Sequence, residues 1–249
     1  MKRRRNESID GEEEDGGSVG SQDTANYKEQ LDDLKAWSAA GTKNNTQLWM
    51  QISHAGRQTP GEINSSPLAP SDIGLKIPGK NYGIPTPMTE EDILDVIERF
   101  VFTAKIARET GFTGVQFHSA HGYLLSEFLS PDINNRTDAW GGNIQNRARI
   151  HLEIIKRCRE EVGTDFPISV KLNSADFQKG GFAFEESLQV AQWLQEASID
   201  LIEISGGTYE QPKLLVLSGM EEEEKQNVAE STLMREAYFV DFAVAMGEK

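Results

Sequence analysis

The sequence predicts an α/β protein made of parallel strand-helix units, with a (β/α) barrel as the leading architecture. Three observations carry that prediction. Short β-rich apolar runs alternate with longer stretches whose apolar residues recur at helical spacing. Each run ends in a polar tip, the position where α/β sheets bind ligands. No Gly-x-Gly-x-x-Gly turn follows any of the runs, which removes the usual signature of a doubly wound dinucleotide-binding sheet. Four runs read convincingly as strands, whereas a closed barrel of this kind uses about eight.

In chain order, residues 1–26 hold Met1-Lys-Arg-Arg-Arg5, the run Glu12-Glu13-Glu14-Asp15 and Gly11, Gly16 and Gly17, with few large apolar side chains. Such a segment buries too little to offset its ordering entropy, and a disordered acidic tail is expected there. The Lys-Arg-Arg-Arg tract is compatible with a solvated terminus or a localisation signal. Residues 27–249 read as one partial barrel domain. Leu31, Leu34 and Trp37 fall at helical spacing before Gly41 supplies a stop. Leu48-Trp-Met-Gln51-Ile52 reads as a strand with the tip Ser53-His54-Ala55-Gly56-Arg57-Gln58, and residues 59–87, rich in Pro, Gly and Ser, form a long loop on the same side.

Thr89 followed by Glu90, Glu91 and Asp92 marks a helix start, with Ile93, Ile97, Phe100, Val101, Ala104 and Ala107 as its buried stripe. Gly114-Val-Gln-Phe117 is the next strand. Residues 143–162 give a helix with Ile144, Ala148, Leu152, Ile155 and Cys158 on one face. Pro167 to Leu172 is a strand with the tip Asn173-Ser-Ala-Asp176; Leu188, Ala191 and Leu194 mark a helix; Leu201 to Ile204 is a strand ending in Ser205-Gly-Gly207. Residues 221–224 read as a solvated acidic loop, and 231–246 as a last helix.

A chain of 249 residues with 37% hydrophobic content can bury a sizeable core. No apolar run approaches the ~20 residues of a membrane span, and the N-terminus lacks the apolar centre of a secretory signal; a cytoplasmic protein without membrane contact is expected. A formal charge of −15 argues against nucleic acid, whose phosphates need clustered Lys and Arg. The single cysteine, Cys158, excludes an internal disulfide or thiolate cluster and reads as an inert helix position.

The chemistry concentrates just past the second strand, in His118-Ser-Ala-His121-Gly-Tyr123. His-x-x-His is a metal-ligand spacing, but no Cys or acidic third ligand lies nearby. Tyr123 judged alone reads more often as a packing residue with a satisfied hydroxyl, and Gln51 alone carries no signal. Their joint placement at strand ends is what points to a site.

Together with Leu48 to Arg57, these residues, Phe128-Leu-Ser-Pro131, Asn135-Arg-Thr-Asp138, Trp140-Gly-Gly142, Asn146-Arg147 and Val170-Lys-Leu-Asn-Ser-Ala175, in that order, make the chain similar to the old yellow enzyme family, the NADH:flavin oxidoreductases, over roughly residues 27–246. The resemblance implies an FMN-binding (β/α)8 TIM barrel that reduces activated, enone-like alkenes with electrons from NADH or NADPH, so a small-molecule substrate is expected. It assigns His118 and His121 to the substrate's carbonyl or nitro oxygen, Tyr123 to proton donation at the α-carbon, Gln51 to the flavin's pyrimidine edge, and Lys171 to the flavin N1 and C2 carbonyl, where the family commonly uses Arg. Arg136 and Asp138 are expected to pin the long loop. His54 and Arg57 stay open between lining the site and structure.

Two strands that precede Gln51 in the family and two that cradle the FMN phosphate are not recognisable here. The expected fold is therefore an incomplete barrel retaining about the four central strands, a fragment truncated at both ends by biology or by gene prediction, with impaired FMN binding. Open sheet edges and apolar interior side chains should then face water, unless a second copy completes the sheet as a homo-oligomer. Two other functions stay open: a non-catalytic remnant or binding module, and an aldolase-type barrel using Lys171 as a Schiff-base nucleophile.

Overall fold

A computed structural model describes residues 20–210 and 239–247. The expectations for residues 1–19, for the acidic loop at 221–224 and for the front of the last helix lie outside these.

Helix α1 (Gly20–Gly41) starts ahead of Tyr27, where the apolar pattern begins, and stops at the expected glycine. Strand β1 (Trp49–Ile52) follows, then two short strands inside the long loop, β2 (Leu68–Ala69) and β3 (Thr86–Pro87), which pair in parallel. Helix α2 (Glu90–Glu109) begins with a reciprocal cap: Asp92 N–H donates to Thr89 Oγ1 and Thr89 N–H donates to Asp92 Oδ2. Then come β4 (Gly114–Ser119), the short α3 (Leu124–Leu129), α4 (Ile144–Val162), β5 (Ile168–Asn173), α5 (Phe184–Glu196), β6 (Leu201–Ser205) and α6 (Val240–Gly247).

The main sheet has the order β1-β4-β5-β6, and every pairing is parallel. Its strands are thus neighbours in the order the chain makes them. Right-handed crossovers in one continuous direction put all the helices on one face, which is barrel winding; a doubly wound sheet would reverse direction and cover both. On the helical face Val115 and Phe117 of β4 and Ile168, Val170 and Leu172 of β5 are buried against α2 and α4, in one core with Ile93, Ile97, Phe100, Ile150, Ile154 and Ile155. Cys158 belongs to this core, and burial pushes its thiol up to about 12, an inert position as expected.

The opposite face differs from expectation. Strand alternation turns Gln51, Gln116, His118, Ser169, Lys171, Asn173, Glu203 and Ser205 toward it, so the surface that a closed barrel would enclose is mainly polar. Leu201, 51% exposed, is its main apolar residue near β6. At the bottom of the face Gly114 lies under the Trp49 indole, where an added Cβ would stand 2.8 Å from ring atoms.

Candidate active site

Register stacks the inner face in levels. Gln51, Gln116, Ser169 and Leu201 form one; His118, Lys171 and Glu203 the next; Asn173 and Ser205 lie at the strand tips. Gln51 Nε2 donates to Gln116 Oε1 (2.7 Å), Gln116 Nε2 donates to Glu203 Oε2 (2.8 Å), and Lys171 Nζ pairs with Glu203 Oε1 (2.7 Å). One polar row thereby links all four strands. Gln51 and Lys171, singled out from sequence, are both in it. Gln116 and Glu203 were not, although a polar residue at alternate positions of an apolar run is their signal.

Past β4 the chain turns sharply: His121 has φ +62° and Gly122 φ +78°, left-handed values that suit a glycine and are held at His121 by its neighbours. Its N–H donates to Asn173 Oδ1 (3.2 Å), its carbonyl accepts from Gln58 Nε2 (3.1 Å), and it bridges to Thr208 beyond β6. The turn folds His121 and Tyr123 back over His118. The His118 and His121 rings lie 5.2 Å apart and those of His118 and Tyr123 4.8 Å, both edge to face. All three predicted residues therefore share one place.

His118 is 7% exposed, and burial lowers it to about 4, helped by His121 and Lys171 and opposed by its backbone hydrogen bond and Glu203. Its Nδ1 accepts from Ala120 N–H (3.3 Å), so the neutral ring carries its proton on Nε2. His121 is lowered by burial and Lys171, and its Nε2 shares a hydrogen bond with Ser205 Oγ (2.6 Å). Tyr123 is pushed up to about 12, first by burial and then by its hydrogen bond to Tyr209, the two hydroxyls 2.8 Å apart. A cavity of about 300 Å³ opens beside His121, Ser205, Thr208 and Tyr209.

The surrounding residues are tied to one another. Arg57 is 2% exposed; its guanidinium pairs with Glu210 (2.5 Å) and its N–H donates to Glu127 Oε1 (2.9 Å). Burial raises the Glu127 carboxyl to about 8, with Arg57 pulling the other way. Gly56 (φ +58°) must lack a Cβ because that carboxylate sits against it. His54 Nδ1 accepts from Gly56 N–H (3.1 Å) and so shapes the same turn. Arg136 donates to the carbonyls of Pro70 (3.0 Å) and Met88 (2.6 Å) and pairs with Asp138, which clamps the long loop as expected. Among the described residues no group of three or more His, Cys, Asp or Glu is arranged to hold a metal, and no helix is long and apolar enough to cross a membrane.

The sequence model of the NADH:flavin oxidoreductase / NADH oxidase family matches residues 9–227. The chain belongs to that family. Its relatives include the NADH-dependent flavin oxidoreductase iccE of Talaromyces variabilis, 36% identical over 226 residues, covering 85% of this chain and 53% of that protein. The NADH oxidase of Thermoanaerobacter brockii is 40% identical over 178 residues, 70% of this chain and 27% of that one. The chain thus spans about half the length of the first of these curated flavin oxidoreductases and less of the second. Among solved structures, a 2-naphthoyl-CoA reductase in complex with 2-naphthoyl-CoA aligns with TM-score 0.68 and 34% identity over 74% of this chain and 30% of its own. The old yellow enzyme homologue of Zymomonas mobilis aligns with TM-score 0.64 and 25% identity over 74% and 57%. With the four-stranded parallel sheet, these family barrels make the fold a partial (β/α)8 TIM barrel.

Proposed function

We propose that the chain serves as an FMN-dependent oxidoreductase of the old yellow enzyme type, reducing an activated, enone-like alkene with electrons from NADH or NADPH. The observation that supports this most is the convergence of His118, His121 and Tyr123 one turn from an inner face bearing Gln51 and Lys171. That face suits a flavin ring. A pyrimidine edge alternates carbonyl acceptors with an N–H donor, and the exposed Gln51 amide offers both functions. Lys171 brings a cation to the same face, though Glu203 offsets its charge.

Bound FMN would supply the hydride, refreshed by the nicotinamide. The protein's own contribution is placement of charge and protons. His118 offers Nε2–H; with Ser205 donating to His121 Nε2, His121 offers Nδ1–H. Two neutral donors aimed at one substrate oxygen stabilise the negative charge that grows there as the β-carbon is reduced, without surrendering a proton to the ground state. Tyr123, held protonated at neutral pH, then gives the Oη proton to the α-carbon.

A second possibility, a non-catalytic binding module, draws support from the Lys171 to Glu203 pair, which leaves no net cation for a reduced ring. The same pair counts against a Schiff-base aldolase, since the Lys171 amine is already engaged by Glu203 rather than turned to a carbonyl substrate. The experiment that separates them uses the full chain with FMN, NADH or NADPH and cyclohexenone under nitrogen. Saturable flavin uptake and enone-dependent loss of nicotinamide absorbance are expected. Flavin uptake without turnover would favour the binding module, and borohydride trapping of a carbonyl substrate on Lys171 the aldolase.

A further inference from the structure

Resting on the oxidoreductase reading, we propose that Tyr209 is a positioning residue that relays protons from solvent to Tyr123, so that the two phenols act as one proton-delivery unit. The Tyr123 and Tyr209 hydroxyls are 2.8 Å apart and their rings meet edge to face at 5.9 Å. Tyr209 is 38% exposed, whereas Tyr123 sits inward against His118. One phenol therefore touches water and the other touches the site.

Tyr209 is also held from both sides. Thr208 bridges to the His121 backbone and donates its hydroxyl to Gln178 Oε1 (3.1 Å). Glu210 pairs with the buried Arg57 (2.5 Å). A loop residue clamped between two such anchors keeps its hydroxyl on Tyr123 while the cavity beside His121 fills and empties. Burial makes a phenolate at Tyr123 costly, so a donor within hydrogen-bond reach shortens its life.

The step balances without redox change. The Tyr123 Oη–H bond breaks as a C–H bond forms at the substrate's α-carbon, leaving a phenolate on Tyr123. Tyr209 passes its hydroxyl proton to that oxygen and takes one from water. Were the Tyr123 to Tyr209 bond only a tie between the tips of β4 and β6, losing it would loosen the fold and leave proton delivery alone.

Tyr209→Phe removes the hydroxyl and keeps the ring. In an alkaline ultraviolet titration of the flavin-free full chain, the transition that is absent from Tyr123→Phe should shift in Tyr209→Phe, because the two phenols no longer share a hydrogen bond. In the flavin-loaded chain with an enone, Tyr209→Phe should lower kcat about 10-fold, leave KM unchanged and enlarge the solvent deuterium isotope effect. An unmoved titration, or a moved titration with unchanged kcat and isotope effect, overturns the relay. A wild-type chain that takes up no flavin defeats the oxidoreductase reading and the relay with it, and the titration then still reports whether the phenols share a hydrogen bond.

Discussion

His118 and His151 have both been driven by burial to about 4, yet they stand on opposite faces of β4 and do different things. His151 projects from α4 into the core beside Phe117, Leu125 and Ile154, and its Nε2 meets Ser119 Oγ at 2.6 Å. The carbonyls of Ala148 and Leu125 favour its charged form but do not outweigh the loss of water. His118, one residue before Ser119, faces the polar side with its Nε2–H turned away from the Ala120 amide. A perturbed pKa therefore marks burial, and the face of the strand decides whether burial serves packing or chemistry. The same division runs through the sheet: Phe117, Val170 and Leu172 on one side, Gln116, Lys171 and Glu203 on the other.

That contrast is open to attack at several points. The largest effect should come from Phe117→Ala, which leaves a cavity in the core and should cost about 3–5 kcal/mol in urea unfolding. Gln116→Ala, its neighbour on the polar face, should cost under about 1 kcal/mol; equal losses would erase the distinction. Next, His118→Ala should lower kcat/KM for an enone by about 10²–10³, the size expected for a lost oxyanion donor, while Ser119→Ala leaves it near wild type. If both fall together, the site is not confined to one face.

Acid is the third probe. A histidine whose folded pKa is depressed stays neutral while the unfolded chain takes up a proton, so its share of stability is complete above about 6.5 and is lost as pH falls toward 4. For His151 that share is about 3 kcal/mol at most, from the size of the shift. His151→Leu should therefore show a flatter stability profile between pH 7 and pH 4 than wild type, as read from urea midpoints. Parallel profiles would mean that His151 is not held neutral.

Much of this was legible in the sequence because it is periodic. The stripe from Ile93 to Ala107 and the alternation in β5 follow from burial on one side, and the structure differs there by a residue or two. Helix α3 was hidden because Leu124–Leu129 lie inside a run read for chemistry. The polar row was harder: Gln116 in Gly114-Val-Gln-Phe117 looks like an interruption until register sets it beside Gln51. Tyr209 had no local signal at all. Its value comes from contact with Tyr123, 86 positions away, and only the barrel winding, which brings the tips of β4 and β6 to one end, creates it.

The most direct test of the central claim is the dissociation constant of FMN, by fluorescence quenching, for the full chain and for Lys171→Ala, Gln51→Ala and Ser119→Ala. If the polar face holds the ring, wild type binds saturably, the first two variants weaken binding about 10-fold, roughly one lost hydrogen bond or ion contact each, and Ser119→Ala matches wild type. Binding that is absent in wild type, or that weakens alike in all three, would contradict it.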